Sequence, residues 1–384
     1  MQFEFATANR ILFGPGTVRQ VPTLARELGR RVLLVTGRSF ERAQPLAEAL
    51  VQAGLSYVPF AVRGEPTTDQ VAAGVATARA ELCDVVVGMG GGAALDAAKA
   101  IAALLANPGE LLDYLEVVGR GQPLSRAPVP WLAIPTTAGT GTEVTRNAVL
   151  ASPAHQVKAS LRSRLLLPVA AVVDPELTLS LSPEVTARTG LDALTQLIEP
   201  YVSLRANPIT DPLCVEGLRR VARSLRRAVQ HGHDLAARQD MALAALFSGL
   251  ALANAGLGAV HGFAAPIGGM FPAPHGAVCA ALLPHVMEVN LRALRERAPD
   301  SEALRRYDEV ARVLTGQPQA RAEDGVGWVR TLCAELQVQP LRFWGVRPDH
   351  FALLSDRAAA ASSMKANPIV LTVQERLEIL QRAT

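Results

Sequence analysis

DVVVGMGGGAALDAAKAIAALLA, residues 84–106, joins a short apolar run to a helix-forming run through three consecutive glycines. Asp84–Gly90 has the length and β-branched content of a buried strand, and Ala94–Ala106 carries the alanine and leucine of a helix. Gly90, Gly91 and Gly92 therefore stand at the carboxyl end of a strand and at the start of a helix. Bare backbone N–H groups at such a point can cradle phosphate. The pattern is neither GxGxxG nor the Walker sequence, since no Gly-Lys-Ser follows. One reading is a tight strand–helix turn that binds nothing. The other is a site for a dinucleotide pyrophosphate, which suits a strand end in an open α/β sheet.

The same alternation extends to both sides. FGPGTV and VPTLARELG near the amino terminus read as a strand, a turn and a helix. RVLLVTG (31–37) and YVPFAV (57–62) are of strand length, and a helix is expected between them. TTDQVAAGVATARAEL (67–82) has helical spacing, with Thr67 or Thr68 as its N-cap. WLAIPTT (131–137) and AAVVD (170–174) are the last strand-like runs. Short apolar strands that alternate with helices predict a parallel sheet covered on both faces. PTTAGTGTEVTRNAV (135–149) follows another strand end, and its hydroxyls and free amides could line the same crevice; a Thr-rich turn alone is a weak signal.

Beyond about residue 184 the pattern becomes almost wholly helical, with a linker near Leu181-Ser182-Pro183. The expected domains are 1–183, α/β, and 184–384, all-α, with a cleft between them as the natural place for a ligand. Within the second lies ALANAGLGAVHGFAAPIGGMFPAPH, residues 251–275. A helix ending near Gly268-Gly269, followed by a turn at Phe271–Pro274, would return His275 toward His261. Two imidazoles brought together begin a metal site; otherwise they are hydrogen-bonded core histidines. Asp192 and Gln196 share a helix face at i and i+4, and Asp192 either answers the helix dipole or supplies a carboxylate to that metal.

Composition narrows the classes. The chain has 384 residues, 49% of them hydrophobic and only 4% aromatic, so its core must be built from Ala, Val and Leu. The net charge of +3 comes without a long basic run, which argues against nucleic acid and anionic membrane as partners. No secretory leader opens the chain and no apolar run reaches membrane-spanning length. Cys83, Cys214, Cys279 and Cys333 lack CxxC spacing and read as small buried hydrophobes in a reducing cytoplasm. Of the 38 basic residues only Lys99, Lys158 and Lys365 are lysines, which marks them as places where a compact ammonium matters.

Taken together, four segments resemble the group III, iron-containing alcohol dehydrogenases. They are the glycine loop from Gly90 to Lys99, Pro135 to Glu143, Asp192 to Glu199, and His261-Gly262 through Pro274-His275-Gly276. The resemblance covers nearly the whole chain, in order. It implies a Rossmann-like N-terminal domain and a helical C-terminal domain, the architecture shared with dehydroquinate synthase. It implies NAD or NADP over Gly91, Gly92 and Ala93, with Asp96, Thr136, Thr137 and Thr140 nearby and Lys158 toward the nicotinamide. It also implies Fe²⁺ or Zn²⁺ held by one Asp and three His, acting as a Lewis acid on the alcohol or carbonyl oxygen while hydride passes to or from the nicotinamide. A cytoplasmic homodimer acting on a small alcohol or aldehyde completes the expectation.

Three positions depart from the family pattern. Gln196 stands where the fourth ligand should be His, so that its amide, or water, is expected to complete the set with Asp192, His261 and His275. Ala265 stands where many relatives have a second His near the nicotinamide; His155 and His285 are the alternatives for proton relay. Ala93 replaces the usual Ser of the glycine loop. After the second strand, Gly37 leaves space where NAD-preferring members often carry Asp, and Arg38 and Ser39 could bind a 2′-phosphate. Three functions stay open: a metal-assisted NAD(P)-dependent alcohol dehydrogenase or aldehyde reductase, a metal-independent reductase of the maleylacetate type, and a nucleotide-binding protein without catalysis. Ala264, Ala265, Ile267, Met270 and Phe271 suit an uncharged substrate better than a dicarboxylate.

Overall fold

The computed structural model describes residues 2–155 and 157–384. Two compact units emerge, one of Ala6–Ser180 and one of Leu181–Thr384 together with residues 2–5. In chain order the first unit contains β1 (Arg10–Phe13), α1 (Val21–Leu28), β2 (Arg31–Thr36), α2 (Gln44–Gln52), β3 (Ser56–Ala61), α3 (Thr68–Ala80), β4 (Val85–Gly90), α4 (Gly92–Ala106), α5 (Leu111–Tyr114), β5 (Trp131–Pro135), β6 (Asn147–Ser152), β7 (Val157–Arg162) and β8 (Ala170–Val173). Six strands form one parallel sheet in the order β1-β8-β5-β4-β2-β3.

Both faces of the sheet are covered, as the continuous apolar strands require. Leu33, Val35 and Val86 pack with Val71 and Ile101 on one face. Val32, Leu34, Val85 and Val87 pack with Val21, Leu24, Leu46 and Leu50 on the other. The strand order reverses between β2 and β4, so the crevice at their carboxyl ends is the topological switch point of this sheet. Gly37 and the glycine run stand there. Thr67 caps α3 in a full capping box with Gln70, which resolves the choice between Thr67 and Thr68.

One element was not foreseen. β6 and β7 form an antiparallel hairpin, Asn147 opposite Arg162 through Ser152 opposite Val157. Its buried residues are small or isolated (Ala148, Leu150, Ala159, Leu161), so its alternation is faint. Lys99 anchors it from α4: the buried Nζ donates to the carbonyls of Thr142, Thr145 and Asn147 at 3.0, 3.0 and 2.8 Å, and to Thr145 Oγ1 at 3.0 Å. An ammonium with its donors spread among these acceptors explains why a lysine persists here in a chain rich in arginine.

The second unit is helical, and no strand occurs in it among the described residues. It comprises α6 (Pro183–Val202), α7 (Thr210–Gln230), α8 (Leu235–Ala255), α9 (Ala259–Met270), α10 (His275–Arg297), α11 (Glu302–Thr315), α12 (Ala322–Glu335), α13 (Phe351–Ala360) and α14 (Val373–Ala383). Ser182 caps α6 through Val185 N–H and Asp234 caps α8 through Ala237 N–H. Contrary to the sequence reading, α8 and α10 are each long and apolar enough to cross a membrane by length and composition. Their apolar windows are 61% and 83% buried inside the unit, where both serve as core helices.

Candidate metal centre and nucleotide cradle

Three helices of the second unit converge on one point. α6 brings Asp192, α9 brings His261, and the first turns of α10 bring His275 and, one helical turn later, Cys279. His261 Nε2 and His275 Nε2 each lie 3.6 Å from Asp192 Oδ1. Cys279 Sγ lies 3.8 Å from His261 Nε2 and 3.7 Å from His275 Nε2. One donor atom from each of the four residues falls within 4.8 Å of all the others. Asp192, His261 and Cys279 are buried, and His275 is partly exposed.

Local sequence explains the convergence. Gly276 lets α10 press against α6, and Gly258 lets the start of α9 reach Glu199; a Cβ at Gly258 would lie 2.8 Å from Glu199 Oε1. The first N–H groups of α9 lack a side-chain cap at Gly258. They are satisfied from a distance, Ala259 N–H by Asn367 Oδ1 at 3.1 Å and Val260 N–H by Glu199 Oε1 at 2.7 Å. The other oxygen of Glu199 accepts from His261 Nδ1 at 2.6 Å. An ionised carboxylate only accepts, so Nδ1 carries a proton, and Nε2 is the ring nitrogen left to face Asp192 and to bind a metal.

The electrostatics favour a cation. Burial pushes the Asp192 carboxyl up, but His275 and His261 outweigh it and hold the group below its ordinary range. Burial likewise raises the Cys279 thiol, and the same imidazoles more than offset this. Burial lowers His261, yet Cys279 and Glu199 lift it well above its usual value. Asp192 Oδ1 is buried and has no hydrogen-bond partner. A donor set that concentrates negative charge around an orphaned oxygen fits a divalent metal.

Gln196, expected to complete the set, has its amide oxygen engaged on another helix. Its Oε1 accepts from Ser248 Oγ of α8 at 2.9 Å. Cys279, read from the sequence as a small core residue, stands with the other three donors instead. The sequence signal is His275-x-x-x-Cys279, two donors one turn apart on a helix, which CxxC spacing does not cover. Glu199 lies within the Asp192–Glu199 segment, but its role depends on which way α9 approaches. Neither alternative relay histidine joins the group. His285 lies ten residues along α10 from His275, about 15 Å by helical rise, and His155 Nδ1 is 2.7 Å from Ser152 Oγ in the first unit.

In the first unit the glycine run is packed on both sides. A Cβ at Gly92 would lie 2.9 Å from Thr140 Cγ2, and one at Gly91 would lie 3.4 Å from Thr137. A Cβ at Gly90 would meet Ala94 and approach Gly37 N. Thr136 N–H donates to Gly90 O at 2.9 Å. Thus Gly37, Gly91, Gly92, Thr136, Thr137 and Thr140 share one strand-end crevice. The amino terminus of α4 has no side-chain cap, which leaves its N–H groups for a ligand. Ala93 lies in that first turn and presents no hydroxyl. Asp96 follows and is buried, 3.9 Å from Lys99 Nζ.

Arg38 and Arg63 line one surface pocket of about 410 Å³ with Gly64. Arg63 was not singled out in the sequence, because its strand end meets that of β2 only in the folded sheet. Ser39 turns its hydroxyl to Glu41. Lys158, on β7, has its Nζ 3.1 Å from Glu65 Oε2.

Known proteins match in both halves. The family described as iron-containing alcohol dehydrogenase matches residues 8–175, and the C-terminal family of the Fe-containing alcohol dehydrogenases matches residues 186–384. The 1,3-propanediol dehydrogenase of Klebsiella pneumoniae is 34% identical over 390 aligned positions, covering 99% of this chain and 98% of the relative. The probable alcohol dehydrogenase EutG of Salmonella typhimurium is 36% identical, covering 88% of this chain and 83% of the relative. A crystal structure of 1,3-propanediol oxidoreductase superimposes with a TM-score of 0.93 at 32% identity, covering all of both chains. With Asp192, His261 and His275 gathered and the glycine run at a strand-end crevice, the chain belongs to the iron-containing alcohol dehydrogenase family.

Proposed function

We propose that the protein is an NAD(P)-dependent alcohol dehydrogenase or aldehyde reductase for small uncharged primary alcohols, diols or their aldehydes, with iron or zinc held by Asp192, His261 and His275. The observation that carries this reading is the buried Asp192 Oδ1, which has no hydrogen-bond partner and lies 3.6 Å from two imidazole nitrogens. When bound, the metal supplies a Lewis acid for the alcohol or carbonyl oxygen. The chain's own residues do the remaining work. Glu199 fixes the His261 tautomer. The N–H groups at the start of α4 hold the pyrophosphate, with Thr136, Thr137 and Thr140 beside them. Lys158, steadied by Glu65, serves the nicotinamide end. Ala264 and Ile267 are buried and Ala265 has no group that can exchange a proton, so relay passes to water or to the substrate's own hydroxyl.

The Arg38–Arg63 pocket favours NADP over NAD, because two guanidiniums suit a 2′-phosphate and Gly37 leaves its approach open. β1 is an edge strand with Ile11 exposed, which supports a homodimer paired along that edge. Four free cysteines suit a reducing, cytoplasmic setting.

The test is steady-state turnover of a panel of short alcohols, diols and aldehydes by protein purified without oxygen or chelator, with each nicotinamide cofactor. Turnover of uncharged substrates that is lost on chelation and restored by Fe²⁺ or Zn²⁺ is the expected result. Activity confined to keto acids and indifferent to chelation would instead mark a metal-independent reductase. Nucleotide binding without turnover of any carbonyl would mean that catalysis has been lost.

A further inference from the structure

We propose that Cys279 is a metal ligand: its sulfur takes the fourth corner of the group formed by Asp192, His261 and His275, in place of the histidine that the family pattern puts at position 196. The inference rests on the metal-assisted reading above and specifies the ion's coordination.

Geometry is the first ground. Tetrahedral zinc with bonds of about 2.0–2.1 Å to nitrogen and oxygen and about 2.3 Å to sulfur needs nitrogen–oxygen edges of about 3.3 Å and sulfur–nitrogen edges of about 3.6 Å. The observed edges are 3.6 and 3.6 Å from Asp192 Oδ1 to the two imidazoles, and 3.8 and 3.7 Å from Cys279 Sγ to the same nitrogens. These four edges need to contract by only about one to three tenths of an ångström, and the remaining two lie within 4.8 Å.

Hydrogen bonding is the second. His261 commits Nδ1 to Glu199, which leaves Nε2 to face inward. Asp192 Oδ1 also points inward and is unpaired. A buried carboxylate oxygen without a partner is costly unless a cation stands beside it, and a metal ion bound to these same atoms supplies one.

The third ground is Gln196. Its amide oxygen is engaged by Ser248, on the side of α6 that meets α8. Position 196 therefore contributes packing between helices, and the missing donor comes from α10. The consequence is a softer site than one of nitrogen and oxygen alone, which favours thiophilic ions such as zinc.

The experiment uses the full-length protein, loaded anaerobically with Co²⁺ or Zn²⁺ in separate samples. The cobalt form should show a sulfur-to-metal charge-transfer band in the near ultraviolet. X-ray absorption of the zinc form should show one sulfur neighbour at about 2.3 Å. Cys279→Ser should lose the band, whereas Gln196→Ala should keep both band and metal. Because the zinc spectrum is recorded on the unaltered protein, the test stands even where Cys279→Ser fails to fold. A metal held only by nitrogen and oxygen would overturn the role of Cys279 while leaving the metal-assisted reading intact. Failure to retain any of Fe²⁺, Zn²⁺ or Co²⁺ would overturn both.

Discussion

Gly276 passes so close to Arg188 that a Cβ on it would lie 2.4 Å from the Arg188 carbonyl oxygen. Only a residue without a side chain allows this approach of α10 to α6. His275 and Cys279 flank the contact, and the same Cβ would lie 3.5 Å from Asp192 Cβ. Gly276→Ala should therefore push α10 outward and separate the donors, with a loss of about 1–3 kcal/mol typical of an overpacked core. Metal content after dialysis and the thermal midpoint should both fall. Wild-type metal content in this variant would show that the contact does not position the site.

Glu199 fixes the tautomer of His261 with one oxygen and holds Val260 N–H with the other. Glu199→Gln can keep the second bond only by presenting its NH₂ group to Nδ1. His261 would then have to carry its proton on Nε2, where the metal should bind. Metal affinity should fall about 10- to 100-fold, as for other losses of a ligand's supporting partner. Competitive titration against a chelator of known affinity measures this directly, and an unchanged affinity would remove Glu199 from the support of the site.

At the nucleotide end, a Cβ on Gly37 meets nothing within 4 Å. Gly37→Asp should fold normally and place a carboxylate where the 2′-phosphate would sit. The ratio of kcat/KM with NADPH to that with NADH should drop by about tenfold or more, since a like-charge contact replaces open space. Arg63→Ala should lower the same ratio through loss of one phosphate partner. No change in either variant would place cofactor choice elsewhere in the crevice.

Glu143, in the turn after β5, is buried and burial pushes its carboxyl up to about 7, with Lys99 opposing. A carboxyl raised on folding stabilises the fold fully below its unfolded pKa and loses that contribution as pH climbs through about 7. The relevant window thus runs from the usual carboxylate range to neutrality, and stability should fall across it by up to about 3 kcal/mol. Glu143→Gln should flatten this decline. Urea midpoints of both proteins at pH 5 and pH 7.5 make the comparison; equal slopes would assign the decline to other groups.

Within the first unit, much was readable because the information is local. Continuous apolar strands followed by helices define a parallel sheet, and glycines at a strand end define a crevice. The hairpin of β6 and β7 was not readable, since its small residues alternate weakly and its anchor, Lys99, lies far away in the chain.

The sequence by itself determined the two-part architecture, the glycine run at a strand end, and three candidate donors: Asp192, His261 and His275. Periodicity and turn residues suffice for these, because each describes a single element or a short return between two. Only the tertiary structure brought Cys279, the fourth donor proposed above, beside them. Asp192 and Gln196 share a face of α6, yet Gln196 turns to Ser248 while Cys279 arrives from α10. Helical spacing says which residues share a face; which helix meets that face depends on close approaches such as those at Gly258 and Gly276, which exist only once the helices have packed.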